Sequence, residues 1–201
     1  MAVSDKINSV ARRIPAWPIY ALGLSYACWL FWLGVSDRLG AEPVKTLEHE
    51  LGEMALYLLI LGLMITPLRS HAKVNLIKFR RAIGVTCFFL VVLHLLTWAV
   101  LDVQQLDRVW ADIVKRPYVT VGMAAFALLL PLAVTSNNLS VRRLGPAWRK
   151  LHVLVYPAVL LAGVHYLMLV KGFQIRPIVF LLIIAGLLAL RARRIRGLLG
   201  F

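Results

Sequence analysis

Acidic side chains are scarce in this chain. Nine Asp and Glu stand against 23 Lys and Arg, and charged residues make up only 16% of the 201. A soluble domain carries about a quarter charged residues, so an ordinary water-facing surface is excluded. Cysteine is nearly absent too. Cys28 and Cys87 both lie inside apolar runs without ligand spacing, which excludes a disulfide framework or thiolate metal cluster and leaves two small hydrophobes. Internal repeats, low-complexity tracts and a nucleotide-binding signature are also missing.

What is present is apolar and basic: 61% hydrophobic residues, mean hydropathy +0.80, net charge +14 and a pI near 10.6. Nucleic-acid binders set their cations on a polar surface. Here Lys and Arg fall in short clusters between long apolar runs, which excludes a nucleic-acid partner and points to the lipid bilayer. A spanning helix needs about 20 apolar residues at about 1.5 Å each. Six segments qualify, at about 17–36, 47–68, 82–101, 118–136, 151–170 and 177–192. The expected fold is therefore an all-α integral membrane protein, a single domain forming a six-transmembrane-helix bundle. The run after "ARRIPAWP" has no small-residue cleavage site and reads as a retained anchor rather than a signal peptide.

Loop charges orient the bundle. With the N-terminus inside, sixteen of the 23 basic residues are cytoplasmic, among them Arg12, Arg13, Arg80, Arg81, Arg142, Arg143, Arg149, Lys150, Arg191, Arg193, Arg194 and Arg196. The outer segments hold eight of the nine acids, so both termini are expected in the cytoplasm. The outer stretch "DVQQLDRVWADIVKRP" repeats Val103, Leu106, Val109, Trp110 and Ile113 at helical spacing. It reads as a short interfacial helix that caps the bundle or meets an outside partner.

Five histidines are present, and His71 sits in a basic loop where water solvates it. The other four lie in or beside apolar spans, where an unpartnered polar group costs several kcal/mol, of the order of a lost hydrogen bond or more. Counting along the helices, His94 is about 18 Å and His165 about 21 Å from the cytoplasmic starts of the third and fifth spans. Two imidazoles at one depth suit axial ligation of a haem iron. His152 lies about 20 Å below His165, too far for the same haem, and the pair sits about 140° apart in azimuth on a straight helix. A kink or wide turn at Pro157 would realign them.

His49, Glu50 and Glu53 open the second span. They read as a helix-start polar cluster or as a proton-handling contact with haem, partner or quinol. Trp17, Trp110 and Trp148 fit interface belts. Gly23, Gly84, Gly122, Gly163 and Gly186 allow close helix approach, and Gly84 or Gly163 would make room for a porphyrin.

The motifs "LGAEPVKTLEHELGEMAL", "ITPLR", "RRAIGV", "LHLLTWAV", "KRPYVTVG" and "RLGPAWRKLHVLVYPAVLLAGVHYL" resemble the ferric reductase-like transmembrane family, with its histidines on the third and fifth of six helices. They follow the branch of haem-containing subunits of the bacterial inner membrane that feed electrons to a periplasmic molybdopterin enzyme reducing methionine sulfoxide in oxidised proteins. The resemblance implies that His94, His152 and His165 stand where the family's haem-ligating histidines stand, around one or two haem b groups. The NADPH oxidase branch has a second histidine on the third helix, where this chain has Arg80 and Arg81. Three readings of His152 thus stay open: a haem with an unusual second ligand, a propionate or flavin-phosphate contact, or a quinone site. The branch is also associated with FMN, for which Arg80, Arg81, Arg149 and Lys150 form a suitable phosphate neighbourhood.

The implied function is transmembrane electron transfer from the quinone pool or a cytosolic flavin reductase to a periplasmic reductase, with no substrate chemistry on this chain. A proton-coupled solute transporter with a histidine relay is the competing class, but the spans lack paired midplane charges and an inverted repeat. A self-contained ferric or oxygen reductase would need a flavin and nicotinamide domain, which is not expected here.

Overall fold

The computed structural model describes residues 3–170 and 172–191. Arg193, Arg194 and Arg196, counted above as cytoplasmic charge, lie outside the described residues, as does the last residue of the sixth expected span. Among the described residues every regular element is helical. Five helices are long and apolar enough to cross a membrane: Trp17–Val35, Pro43–His71, Ile77–Val103, Pro117–Val134 and Pro146–Leu169. The chain is a multi-pass membrane protein by that measure. Ile175–Ala189 is apolar but has 15 residues, about 22 Å against a core of about 30 Å.

The chain divides into two compact units, 1–109 and 110–201. In the first, α1 (Val3–Arg13) is an amphipathic helix that the span pattern does not reveal. It is followed by α2 (Trp17–Val35), α3 (Pro43–His71) and α4 (Arg80–Leu96). Proline at the first turn starts α2 and α3, where its missing N–H is an orphan anyway. For α3 this sets the start four residues before the expected one. Buried positions recur at three and four: Gly23, Ala27 and Leu30 on α2, Leu51, Ala55, Leu59 and Leu63 on α3, and Ile83, Cys87 and Leu90 on α4. Lipid supplies no hydrophobic drive between spans, so van der Waals packing along these seams holds the helices, with Gly23, Ala27 and Ala55 letting backbones approach. Cys87 is buried and its thiol donates to the Ala55 carbonyl at 3.3 Å, while Cys28 faces outward on α2. A Cβ on Gly23 would collide with the Thr86 methyl. Past His94, α4 widens into a π-turn over Thr97–Val103, closed by Gln104 at φ 64°.

The interfacial helix of the outer loop is α5 (Leu106–Lys115), with no buried residue and with Leu106, Trp110 and Val114 exposed one turn apart. The second unit is built on α6 (Pro117–Val134), short α7 (Asn138–Leu144) and α8 (Pro146–Leu151), α9 (Val155–Leu169) and α10 (Ile175–Ala189). Asn137 caps α7 by accepting from the Ser140 N–H at 2.8 Å. α9 packs on α6 and α10 through Ala158, Val159 and Gly163. A Cβ on Gly163 would meet Ile184 and Leu181 of α10 at 2.9 and 3.2 Å, so this glycine serves helix packing rather than a porphyrin. A Cβ on Gly84 or Gly186 would find no neighbour within 4 Å, so neither marks a close helix approach.

The fifth span is not one straight helix. His152–Leu154 form a 3-10 turn between α8 and α9, and Pro157 falls in the first turn of α9, where proline is tolerated. The realignment expected at Pro157 therefore occurs before it. Winding at about 3.0 residues per turn reduces the azimuthal gap between His152 and His165 from about 140° to about 80°.

Candidate functional site

In the first unit His94 is on α4, two residues before the helix ends, and its ring is half-buried against α3. Its Nδ1–H donates to the Glu48 carbonyl at 2.9 Å. A carbonyl only accepts, so this contact assigns the proton to Nδ1 and the lone pair to Nε2. Residues around it continue the N-terminal half of α3. Tyr57 donates to Glu53 at 2.9 Å, and Tyr26 of α2 donates to Glu50 at 3.3 Å. His49 is exposed at the start of this stripe. The sequence marks His49, Glu50 and Glu53 but not the two phenols.

In the second unit His165 lies on α9 and is half-buried against α6. Its Nδ1–H donates to the Tyr118 carbonyl at 2.7 Å, and the Tyr118 ring lies 6.2 Å from the imidazole. The same reasoning leaves its lone pair on Nε2. The two expected axial histidines therefore carry one tautomer, each fixed by a backbone carbonyl of the helix it packs on. Metal-binding imidazoles are oriented in this way by an acceptor on the other ring nitrogen. The protein residues fit an axial haem ligand on that ground. Among the described residues no group of three or more His, Cys, Asp or Glu gathers as a bare metal ion would require.

His152 is held differently. Its Nδ1–H donates to the Trp148 carbonyl at 3.0 Å, one turn back on its own segment, and its ring stacks on the Trp148 indole with centroids 3.8 Å apart. The indole N–H donates in turn to the carbonyl of Thr135, the residue that ends α6, at 2.9 Å. Trp148 is thus a support for His152 and not only an interface aromatic. One turn beyond His152, the Tyr156 hydroxyl accepts from Arg191 at 3.2 Å, with the guanidinium 5.6 Å from the phenol ring. Arg191 is 3% exposed, which corrects its place among the loop charges. In sequence, a cation at the end of an apolar helix looks identical whether it points out or folds back.

Arg80 and Arg81 are exposed at the start of α4, and Arg149 and Lys150 are exposed at the end of α8. Each pair sits in its own unit, at the end of its segment opposite to His94 or His165.

Residues 51–163 match the family model described as ferric reductase like transmembrane component. That stretch includes His94 and His152 and ends two residues before His165. The chain is 46% identical over 179 residues to the protein-methionine-sulfoxide reductase heme-binding subunit MsrQ of Brucella ovis, covering 89% of this chain and 81% of that protein. The MsrQ proteins of Brucella canis and Brucella suis match with the same identity and coverage. No solved structure matches the chain significantly.

Proposed function

The chain belongs to the ferric reductase-like transmembrane family, and from that premise we propose that it is the haem b subunit of a transmembrane electron-transfer system for methionine sulfoxide repair. In this reading it is a six-span protein of the bacterial inner membrane with both termini in the cytoplasm. Electrons come from the quinone pool or a cytosolic flavin reductase and leave to MsrP, a periplasmic molybdopterin reductase that repairs oxidised proteins. Haem b, when bound, supplies the one-electron chemistry, and the chain itself performs no substrate chemistry.

The observation that carries the reading is the matched state of His94 and His165. Each donates its Nδ1–H to a carbonyl of the neighbouring helix, so each offers Nε2 as an axial nitrogen, at similar depth along its own span. A carbonyl on Nδ1 also raises the basicity of Nε2 and stops the ring from turning. His152, stacked on Trp148, is a second station nearer the cytoplasmic face, serving electron entry or a second haem. FMN is part of this proposal, with the exposed Arg80 and Arg81 of the first unit, or Arg149 of the second, as phosphate contacts.

The test is an absorption spectrum of the detergent-purified protein before and after dithionite. A Soret band that shifts on reduction, with a sharp α band, is the expected result. Its absence from protein purified with haem supplied during expression would leave the histidine-relay transporter as the better account.

A further inference from the structure

The carbonyls that receive the two imidazoles already serve their own helices. In an α-helix the oxygen of residue i accepts from the N–H of residue i+4, so a second donor must use its other lone pair. The approach to that lone pair passes over residue i+4, because positions four apart lie on one face. Residue i+4 is glycine in both cases: Gly52 follows Glu48, and Gly122 follows Tyr118. A Cβ at Gly52 would stand 3.0 Å from His94 Nδ1 and 3.1 Å from Cε1. At Gly122 it would stand 2.8 Å from His165 Nδ1 and 2.9 Å from Cε1. Neither glycine has a positive φ, so backbone strain does not explain the choice. The space for the ring does.

Resting on the haem reading above, we propose that Gly52 and Gly122 are positioning residues for the ligand imidazoles. Each keeps open the notch through which Nδ1–H reaches a helix carbonyl, and so sets ring orientation and the basicity of Nε2. One notch appears in each unit with the same carbonyl-to-glycine spacing of four. Adding a methyl at Gly122 forces His165 to move, since atoms nearer than about 3 Å cannot both stay. At Gly52 a shift of a few tenths of an ångström suffices, so its alanine variant is the milder one. A lengthened Nδ1–H bond leaves Nε2 less basic, which favours ferrous over ferric haem.

The experiment compares Gly122→Ala, Gly52→Ala, His165→Ala, His94→Ala and two controls in purified protein. The controls are Gly62→Ala and Gly186→Ala, whose nearest added contact is 3.9 Å for the first and beyond 4 Å for the second. Haem content, redox titration and low-temperature electron paramagnetic resonance are read for each. At the wild-type midpoint the ferrous-to-ferric ratio is expected to rise about three- to tenfold in Gly122→Ala, the worth of one hydrogen bond, and less in Gly52→Ala, with altered low-spin g values. Both controls keep wild-type spectra. If Gly122→Ala inserts without haem while the controls retain it, the notch is likewise supported. If Gly122→Ala fails to insert, Gly52→Ala decides. Wild-type potentials and g values in the alanine variants, with haem lost from His94→Ala and His165→Ala, overturn the positioning role alone. Haem retained by those two histidine variants overturns the ligand reading beneath it.

Discussion

The two units seat a histidine in the same way and surround it differently. In each, an imidazole near the C-terminal end of one helix is tied to a carbonyl of its neighbour, His94 to Glu48 and His165 to Tyr118. Around His94 the first unit adds Glu50 and Glu53 with their tyrosine donors, and it holds eight of the nine acids of the chain. The second unit has one acid, Asp112, and instead carries a further histidine on a tryptophan and a buried arginine on a tyrosine. The imidazole seat is a local product of one helix pair, made with a backbone carbonyl rather than a charged group. The first has carboxylates on the early turns of α3, close to the His94 seat, and the second has cationic and aromatic groups around His152.

The largest expected effect breaks the likeness itself. His94→Ala and His165→Ala should each remove the haem held at these seats from protein that still inserts, as seen by haem content per polypeptide. Should only one do so, the two seats are not equivalent. Next is the contrast at His152. His152→Ala should leave that haem in place but slow its reduction by respiratory substrates in native membranes by about tenfold or more, the loss of roughly 1.4 kcal/mol of barrier lowering. Loss of all haem from this variant would mean the two-station scheme is wrong.

Smaller effects test the packing of the first unit. Gly23→Ala drives a methyl into Thr86, and overpacking of this kind costs about 1–3 kcal/mol, so a lower Tm in detergent is expected with the haem spectrum unchanged. Tyr57→Phe removes one hydrogen bond to Glu53. A loss of about 1 kcal/mol or less and an unchanged spectrum are expected, and a shifted midpoint would tie the carboxylate stripe to the haem.

Spans are legible in the sequence because a bilayer demands about 20 apolar residues and a run of that length is visible in composition. The amphipathic α5 is legible through its period. What stays hidden is made by backbone. The seats of His94 and His165 use carbonyl acceptors, which every residue has, so neither Glu48 nor Tyr118 shows its part in the sequence. Gly122 reads as a helix-contact residue and Gly52 does not stand out, since only the neighbouring imidazole gives either one a purpose. The 3-10 turn at His152 leaves no signal either: "KLHVLVYP" is as apolar as a continuous helix, and the proline invites a kink at the wrong place. Arg191 passes for a loop charge because its partner, Tyr156, lies 35 residues away.

The central claim, proposed above, is that the Nε2 atoms of His94 and His165 serve as haem-iron ligands. Electron paramagnetic resonance of the oxidised, detergent-purified protein, with His94→Ala and His165→Ala beside it, tests this most directly. The account predicts a low-spin signal typical of two axial imidazoles in the wild type, absent or converted to high spin in both variants. A high-spin wild type, or a low-spin signal that survives in either variant, would contradict it.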